Sequence, residues 1–248
     1  MSGNEETILS GRWGRLAAVM GIVVTAGLVY SNALSGPFLV DDHIYILKNP
    51  EVRSLGNFLD ISGTRYVAFL SFALNYAVGG YSPVGYHLVN VVIHVINGLL
   101  VWWLALLTFR SPALSGAGED TRLSYFIALG AALIFISHPV QTQAVTYITQ
   151  RFASLATLFY LLSLALYVKW RLSPELKSRS VFYILSLVSA VLAMKTKEIA
   201  FTLPLVIVLY EFTFFGLSFN GLRARARFLP LVPFLLTMAI IPLSIFGP

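Results

Sequence analysis

YHLVNVVIHVINGLLVWWLALLTF, residues 86–109, contains no Asp, Glu, Lys or Arg and is long enough to cross a bilayer as one helix. Its polar residues are not scattered. His87, Asn90, His94 and Asn97 are spaced by three, four and three, which puts all four on a single helical face. The other faces are apolar and suit lipid, whereas the polar stripe must turn toward other helices. The segment therefore predicts a polytopic helix bundle, in which Asn90, His94 and Asn97 hydrogen-bond between helices.

The rest of the chain agrees with this class. It has 248 residues, 57% hydrophobic and 11% charged, and its mean hydropathy is +0.79, outside the range of ordinary soluble domains. The formal charge of +6 does not point to nucleic acid, because the basic residues fall mainly in short loops between apolar runs. There is no cysteine, so disulfides and thiolate metal sites are excluded. Seven segments are expected to span: 16–34, 86–109, 123–137, 152–170, 181–194, 199–219 and 228–246. An eighth, 66–78, is shorter and reads as an interfacial or re-entrant helix in the first outer loop, 35–85. The first run also has the look of a signal peptide, with 32–35 as its cleavage region, but its near-spanning length favours an anchor.

Basic residues set the expected orientation. With 66–78 kept outside, the cytoplasm receives Arg12, Arg15, Arg110, Arg122, Lys169, Arg171, Lys177, Arg179, Arg223, Arg225 and Arg227, eleven of the 17 basic residues. Letting 66–78 cross leaves only Arg12, Arg15, Arg151, Lys195 and Lys197 inside. The first arrangement puts the amino terminus in the cytoplasm and gathers the polar motifs on the outer face. Segments 123–137 and 181–194 reach only roughly 22 and 21 Å at the helical rise, short of a ~30 Å core, which predicts a recess at their outer ends.

On that face, Asp41-Asp42-His43 follows the Gly36-Pro37 turn. A carboxylate beside an apolar pocket can act as general base. Asp42 and His43 are also candidate ligands for a divalent cation, the one cofactor the pattern admits. Successive side chains diverge, so one carboxylate is expected to react or bind while its neighbour positions. His87 lies at the outer end of its stripe, His138-Pro139 ends a segment, and Arg151 enters one, where a phosphate or an outer carboxylate is its expected partner. Lys195, Lys197 and Glu198 complete the set as candidate substrate-binding residues. Each also has a bland reading: a solvated charge pair for the aspartates, and snorkelling with a Lys–Glu pair for the lysines. Glu211, near the inner end of its segment, reads as structural.

Five stretches together resemble the membrane module of the transmembrane and TPR-containing protein O-mannosyltransferases, in the GT-C glycosyltransferase superfamily. They are Pro37-Phe38-Leu39-Val40-Asp41-Asp42, Leu74-Asn75-Tyr76-Ala77-Val78-Gly79-Gly80, Gly85-Tyr86-His87-Leu88-Val89-Asn90 with His94, His138-Pro139-Val140-Gln141-Thr142-Gln143-Ala144-Val145, and Lys197-Glu198 followed by Leu209-Tyr210-Glu211. The resemblance implies a polyprenyl-phosphate-linked sugar, usually mannose, as donor and a Ser/Thr hydroxyl of a protein or glycan as acceptor. It places the reaction on the non-cytoplasmic face, in a bacterial inner membrane or the endoplasmic reticulum. It makes Asp41 the general base and Asp42 the orienting carboxylate, with Arg151 and Lys197 stabilising the departing lipid phosphate. Gln143 departs from the pattern, since relatives often carry Glu there. Residues 1–248 read as one module with fewer spans than the family's and no TPR domain, which implies a truncated unit, a compact relative without the activity, or a partner chain supplying the remainder. A non-catalytic lipid-phosphate-binding or scaffold subunit derived from the family is the rival reading.

Overall fold

The computed structural model describes residues 11–61, 63–115, 121–216 and 228–246, and within them the chain is helical with no strand. The expected basic loop with Arg223, Arg225 and Arg227, and the end of segment 199–219, lie outside the described residues. The elements are α1 (Arg12–Val29), α2 (Tyr66–Gly79), α3 (Pro83–Phe109), α4 (Thr121–Ser137), α5 (Gln141–Thr146), α6 (Arg151–Leu172), α7 (Leu176–Met194), α8 (Leu203–Phe214), α9 (Val232–Thr237) and α10 (Ile240–Phe246). The all-α membrane bundle expected from the apolar runs is the observed fold.

Breaks between helices follow the glycines and prolines. Gly80, at φ 58°, ends α2 in a conformation that favours glycine. Pro83 opens α3, where its missing N–H costs nothing. Five spans meet the length and apolarity needed to cross a bilayer: Arg12–Val29, Pro83–Phe109, Ile148–Leu172, Leu176–Met194 and Leu229–Phe246. The other two expected spans are shorter helices, α4 with 17 residues and α8 with 12, the latter preceded by a 3-10 turn over Glu198–Thr202. The last span is a 3-10 turn followed by α9 and α10, in a stretch that carries Pro230, Pro233 and Pro242.

One expectation about length is corrected. Segment 181–194 begins its helix at Leu176, so α7 has 19 residues and reaches about 28 Å. Lys177 and Arg179 join the helix instead of flanking it, because long basic side chains can lie along an apolar stem and keep their heads in the headgroup layer. The recess inferred from a short α7 therefore has no basis in its length.

The most extensive helix pairing is α6 with α7, followed by α3 with α6 and α3 with α4, while α1 packs on both α3 and α4. Small residues allow the α1–α3–α4 contact. Ala18, Ile22 and Ala26 of α1 meet Ala128, Ala132 and Ile136 of α4, all essentially sealed from solvent. Gly98 of α3 sits where they converge: a Cβ there would lie 2.6 Å from Ile136 Cδ1 and 2.7 Å from its Cγ1. A second apolar cluster joins α6, α7, α8 and α9 through Tyr167, Ala190, Ile207 and Phe234.

The polar stripe on α3 does what its spacing predicts. Asn97 Nδ2 donates to Ser154 O of α6 at 2.9 Å. The His94 ring nitrogen Nε2 and the Tyr30 hydroxyl both donate to Ile136 O, each at 3.1 Å. That carbonyl would normally accept from Val140, but the Val140 N–H is turned to His138 Nδ1 at 3.2 Å, across the Pro139 break. Two side chains from other helices thus satisfy the freed end of α4.

Candidate functional site at the acidic end

Contacts distant in sequence gather the outer motifs at one end of the bundle. After α1 the chain passes through a 3-10 turn (Ser31–Ser35), reaches a helical turn over Val40–Asp42, and continues as a π-helical turn over His43–Leu47. Asp42 is 0% exposed. Its Oδ2 accepts the Leu39 N–H at 2.8 Å, closing the turn on itself, and its Oδ1 accepts the Thr149 N–H at 2.9 Å, tying the turn to the start of the third long span, Ile148–Leu172. Both oxygens are therefore committed to backbone donors, as a buried carboxylate requires.

Asp41 is arranged differently. Its backbone N–H donates to the Tyr147 hydroxyl at 2.9 Å, which fixes the main chain, while among the described residues no group pairs with its half-buried carboxylate. The two aspartates thus separate into a buried anchor and a half-buried carboxylate with no partner among the described residues. His43 is exposed on the following turn. The cation reading for Asp42 and His43 does not fit this geometry, because Asp42 is sealed and spent on two N–H groups. Among the described residues no three His, Cys, Asp or Glu side chains converge as a metal site.

His87, offered above as a substrate contact, is only 2% exposed, and its Nε2 donates to Gly36 O at 3.1 Å. It pins the loop ahead of the acidic turn to α3, and its buried Nδ1 has no partner. His138 is exposed and organises its own turn through the Val140 bond.

Arg151 departs most from expectation. It is 0% exposed, with neither phosphate access nor a carboxylate partner. Nε donates to Asn90 Oδ1 at 2.7 Å, Nη1 to Ser71 O at 3.2 Å and Nη2 to Tyr86 O at 2.8 Å. The guanidinium carbon lies 4.7 Å from the Phe72 ring centre and 5.6 Å from that of Tyr86. Carbonyl dipoles and ring faces replace the anion. Asn90 completes the joint by donating through Nδ2 to Val145 O at 3.3 Å and Ile148 O at 3.2 Å. Arg151 is a positioning residue that locks α2, α3 and α6 beneath the acidic turn.

The lysine motif sits on the same end. Lys195 donates to Ser244 Oγ of α10 at 2.9 Å and to Gly63 O at 3.3 Å, and its carbonyl accepts the Val67 N–H at 3.1 Å. Glu198 forms a two-pronged pair with Arg65, Nε to Oε1 at 3.0 Å and Nη2 to Oε2 at 3.3 Å. Burial alone would raise the Glu198 carboxyl, but the Arg65 hydrogen bond and charge outweigh it and hold it below its ordinary value. Lys197 has no hydrogen-bond or ion-pair partner among the described residues. Burial first, and then the neighbouring Arg65 charge, lower its pKa from the usual lysine value.

Arg65 is the residue that the sequence did not single out. It has φ 60°, a left-handed conformation that costs a non-glycine residue roughly 1–2 kcal/mol. From that pose it reaches Glu198 and stacks 5.2 Å above the ring centre of Phe152, which Tyr45 on the π-helical turn meets edge-on at 5.5 Å. It therefore bridges the acidic motif to the lysine motif across an aromatic floor of Tyr45, Phe69, Phe72 and Phe152. Its one sequence signal was membership of the few basic residues left on the outer face. Tyr147 was missed for a simpler reason: it lies just beyond the His138-to-Val145 motif.

An all-helical, multi-span membrane protein with a divided carboxylate pair at one polar end is the class that these features define. Comparison with known proteins narrows it. The chain is 34% identical over 203 residues to protein O-mannosyl-transferase Tmtc1 of Drosophila melanogaster, covering 75% of this chain and 22% of that protein. It is 37% identical over 158 residues to TMTC2 of Mus musculus, covering 57% and 17%, and 29% identical over 237 residues to TMTC4 of Homo sapiens, covering 88% and 31%. The chain is a TMTC-like protein, related to the protein O-mannosyl-transferases, and it spans less than a third of the length of these relatives. No family model matches it, and no solved structure does.

Proposed function

We propose that this chain carries the acceptor-activating end of a GT-C glycosyltransferase that moves mannose from a polyprenyl phosphate to a Ser/Thr hydroxyl on the non-cytoplasmic face. The observation that carries the reading is the division of labour between the adjacent aspartates. Asp42 spends both oxygens on backbone N–H groups, while the half-buried Asp41 carboxylate is left unpaired on a turn held by Tyr147 and Thr149. That its relatives are named protein O-mannosyl-transferases supports the reaction class.

In the proposed step the acceptor hydroxyl gives its proton to the Asp41 carboxylate as its oxygen bonds to the sugar's anomeric carbon. The bond from that carbon to the phosphate oxygen breaks, and the polyprenyl phosphate leaves with the electron pair. Lys197, half-buried and without a partner, is the cation available to the departing phosphate. Arg65 takes both Glu198 oxygens, so Lys197 makes no hydrogen bond to its neighbour. Arg151, Asn90, His87 and Lys195 act through position, because each is bonded to the scaffold. The outer location rests on the distribution of basic residues between the loops.

The test is transfer of radiolabelled mannose from polyprenyl-phosphate mannose to a Ser/Thr peptide panel, with the full chain in membranes. Asp41→Asn should abolish transfer with membrane insertion intact. Undiminished transfer by that variant removes Asp41 as the base, and donor binding without turnover by the parent chain selects the scaffold reading.

A further inference from the structure

At the end of the bundle opposite the acidic turn, a cleft of about 440 Å³ opens between the first turns of α1 and the carboxyl ends of α3 and α6. Its walls are apolar, with Ile96, Leu99, Trp103 and Leu106 among them, and Arg15, Arg110 and Lys169 are its charged residues. Among the described residues no acidic side chain lines it. Among the described residues none of the three cations has an ion-pair partner, and Lys169 only lies 5.8 Å from the Phe182 ring centre.

Helix dipoles explain two of these charges. Arg110 caps α3 and Lys169 lies in the last turn of α6, where cations are favourable. Arg15 has the opposite setting. It sits in the opening turns of α1, which offers no acidic residue in its first turn, so the dipole disfavours it and an external anion is what would hold it there. Trp102 also lines the cleft and is 8% exposed.

We propose that this cleft binds an anionic glycerophospholipid, its phosphate between Arg15, Arg110 and Lys169 and one acyl chain along Ile96, Leu99 and Trp103. A soluble anion would gain nothing from the apolar walls. A zwitterionic lipid would bring a cation into a site where no described acidic residue meets it. Basic pockets between membrane helices are suited to such head groups. The inference does not depend on the transferase reading, since the cleft shares no residue with the acidic end.

The full chain, with Trp13→Phe and Trp170→Phe so that Trp102 and Trp103 alone emit, is placed in phosphatidylcholine vesicles doped with either brominated phosphatidylglycerol or brominated phosphatidylcholine. Phosphatidylglycerol should quench with a relative association constant about fivefold or more above phosphatidylcholine, given the attraction of each basic residue near the surface. Arg15→Gln, Arg110→Gln and Lys169→Gln should each reduce the preference, while Arg15→Lys and the opposite-end control Lys48→Gln should retain it. Equal quenching by the two lipids overturns the proposal, as does a preference that survives all three glutamine variants. Displacement by inorganic phosphate at an ionic strength matched with chloride overturns the lipid assignment. Because quenching needs no turnover, an inactive chain still gives an answer.

Discussion

Replacing the two neighbouring aspartates one at a time should give opposite phenotypes, and the hydrogen bonds set the size of the difference. Asp42→Asn retains one acceptor oxygen and presents an NH₂ where the second oxygen stood, so either the Leu39 or the Thr149 N–H faces another donor. Bonds to a charged acceptor contribute about 1.5–3 kcal/mol and neutral ones about 1 kcal/mol. One bond is lost and the other weakened, partly offset by no longer burying a charge, which gives a net destabilisation of about 2–3 kcal/mol. Asp41→Asn breaks no side-chain bond among the described residues and should change stability by less than about 0.5 kcal/mol. Purified variants in one detergent, unfolded by a denaturant titration followed through tryptophan emission, give the stabilities, and the mannose-transfer assay gives activity. Asp41→Asn should be stable and inactive, and Asp42→Asn destabilised. If Asp42→Asn unfolds with the parent chain, the claim that its carboxylate holds the turn to Thr149 is refuted. A stable, inactive Asp42→Asn beside an active Asp41→Asn would reverse the roles.

Other perturbations have equally definite outcomes. Asn90→Ala strips an acceptor from the buried Arg151 and a donor from two carbonyls, and should cost about 3 kcal/mol in the same titration, as breaking a buried charged network does; a loss under 1 kcal/mol would show that Arg151 finds another partner. Gly98→Ala forces a methyl against Ile136 and should destabilise by about 1–3 kcal/mol, with Gly98→Ala/Ile136→Ala less damaging than the sum of its parts. Arg65→Ala should release Glu198 toward its ordinary carboxylate value at a stability cost of about 1 kcal/mol or less, because the pair is roughly a third exposed; titration of Glu198 followed by a carboxylate probe would check it. Because burial lowers the Lys197 pKa, its charge is present at low pH and lost as pH rises through that lowered value. Transfer should therefore decline on the alkaline side earlier than an ordinary lysine would allow, and Lys197→Arg should move that limb to higher pH.

Membrane class and interhelical glue were legible in the sequence because both depend on local periodicity. The spacing of Asn90, His94 and Asn97 defines a face whatever that face touches. Partner identity was not legible in the same way. Arg151 invites an anion, yet it is met by three oxygens from α2 and α3 and two aromatic rings, none of which its own neighbourhood in sequence indicates. The carboxylate pair was read as one reacting and one positioning group, but what anchors Asp42 was not legible, because the Thr149 N–H approaches from 107 positions away. Arg65 was invisible for a related reason: its left-handed backbone is set by the chain around it, and no motif marks it.

The separation of the site's parts along the chain has a consequence in time. Asp41 meets Tyr147 across 106 positions, and Arg65 meets Glu198 across 133. At roughly 5–20 residues per second of synthesis, Arg65 waits about 7–27 s for its partner to be made. Throughout that interval the nascent chain holds a guanidinium without its acid, and until Thr149 is made it also holds an acidic turn without its anchor. The acidic end therefore cannot close all of its ties until synthesis reaches the start of the sixth expected segment, when five of the expected segments have already been made.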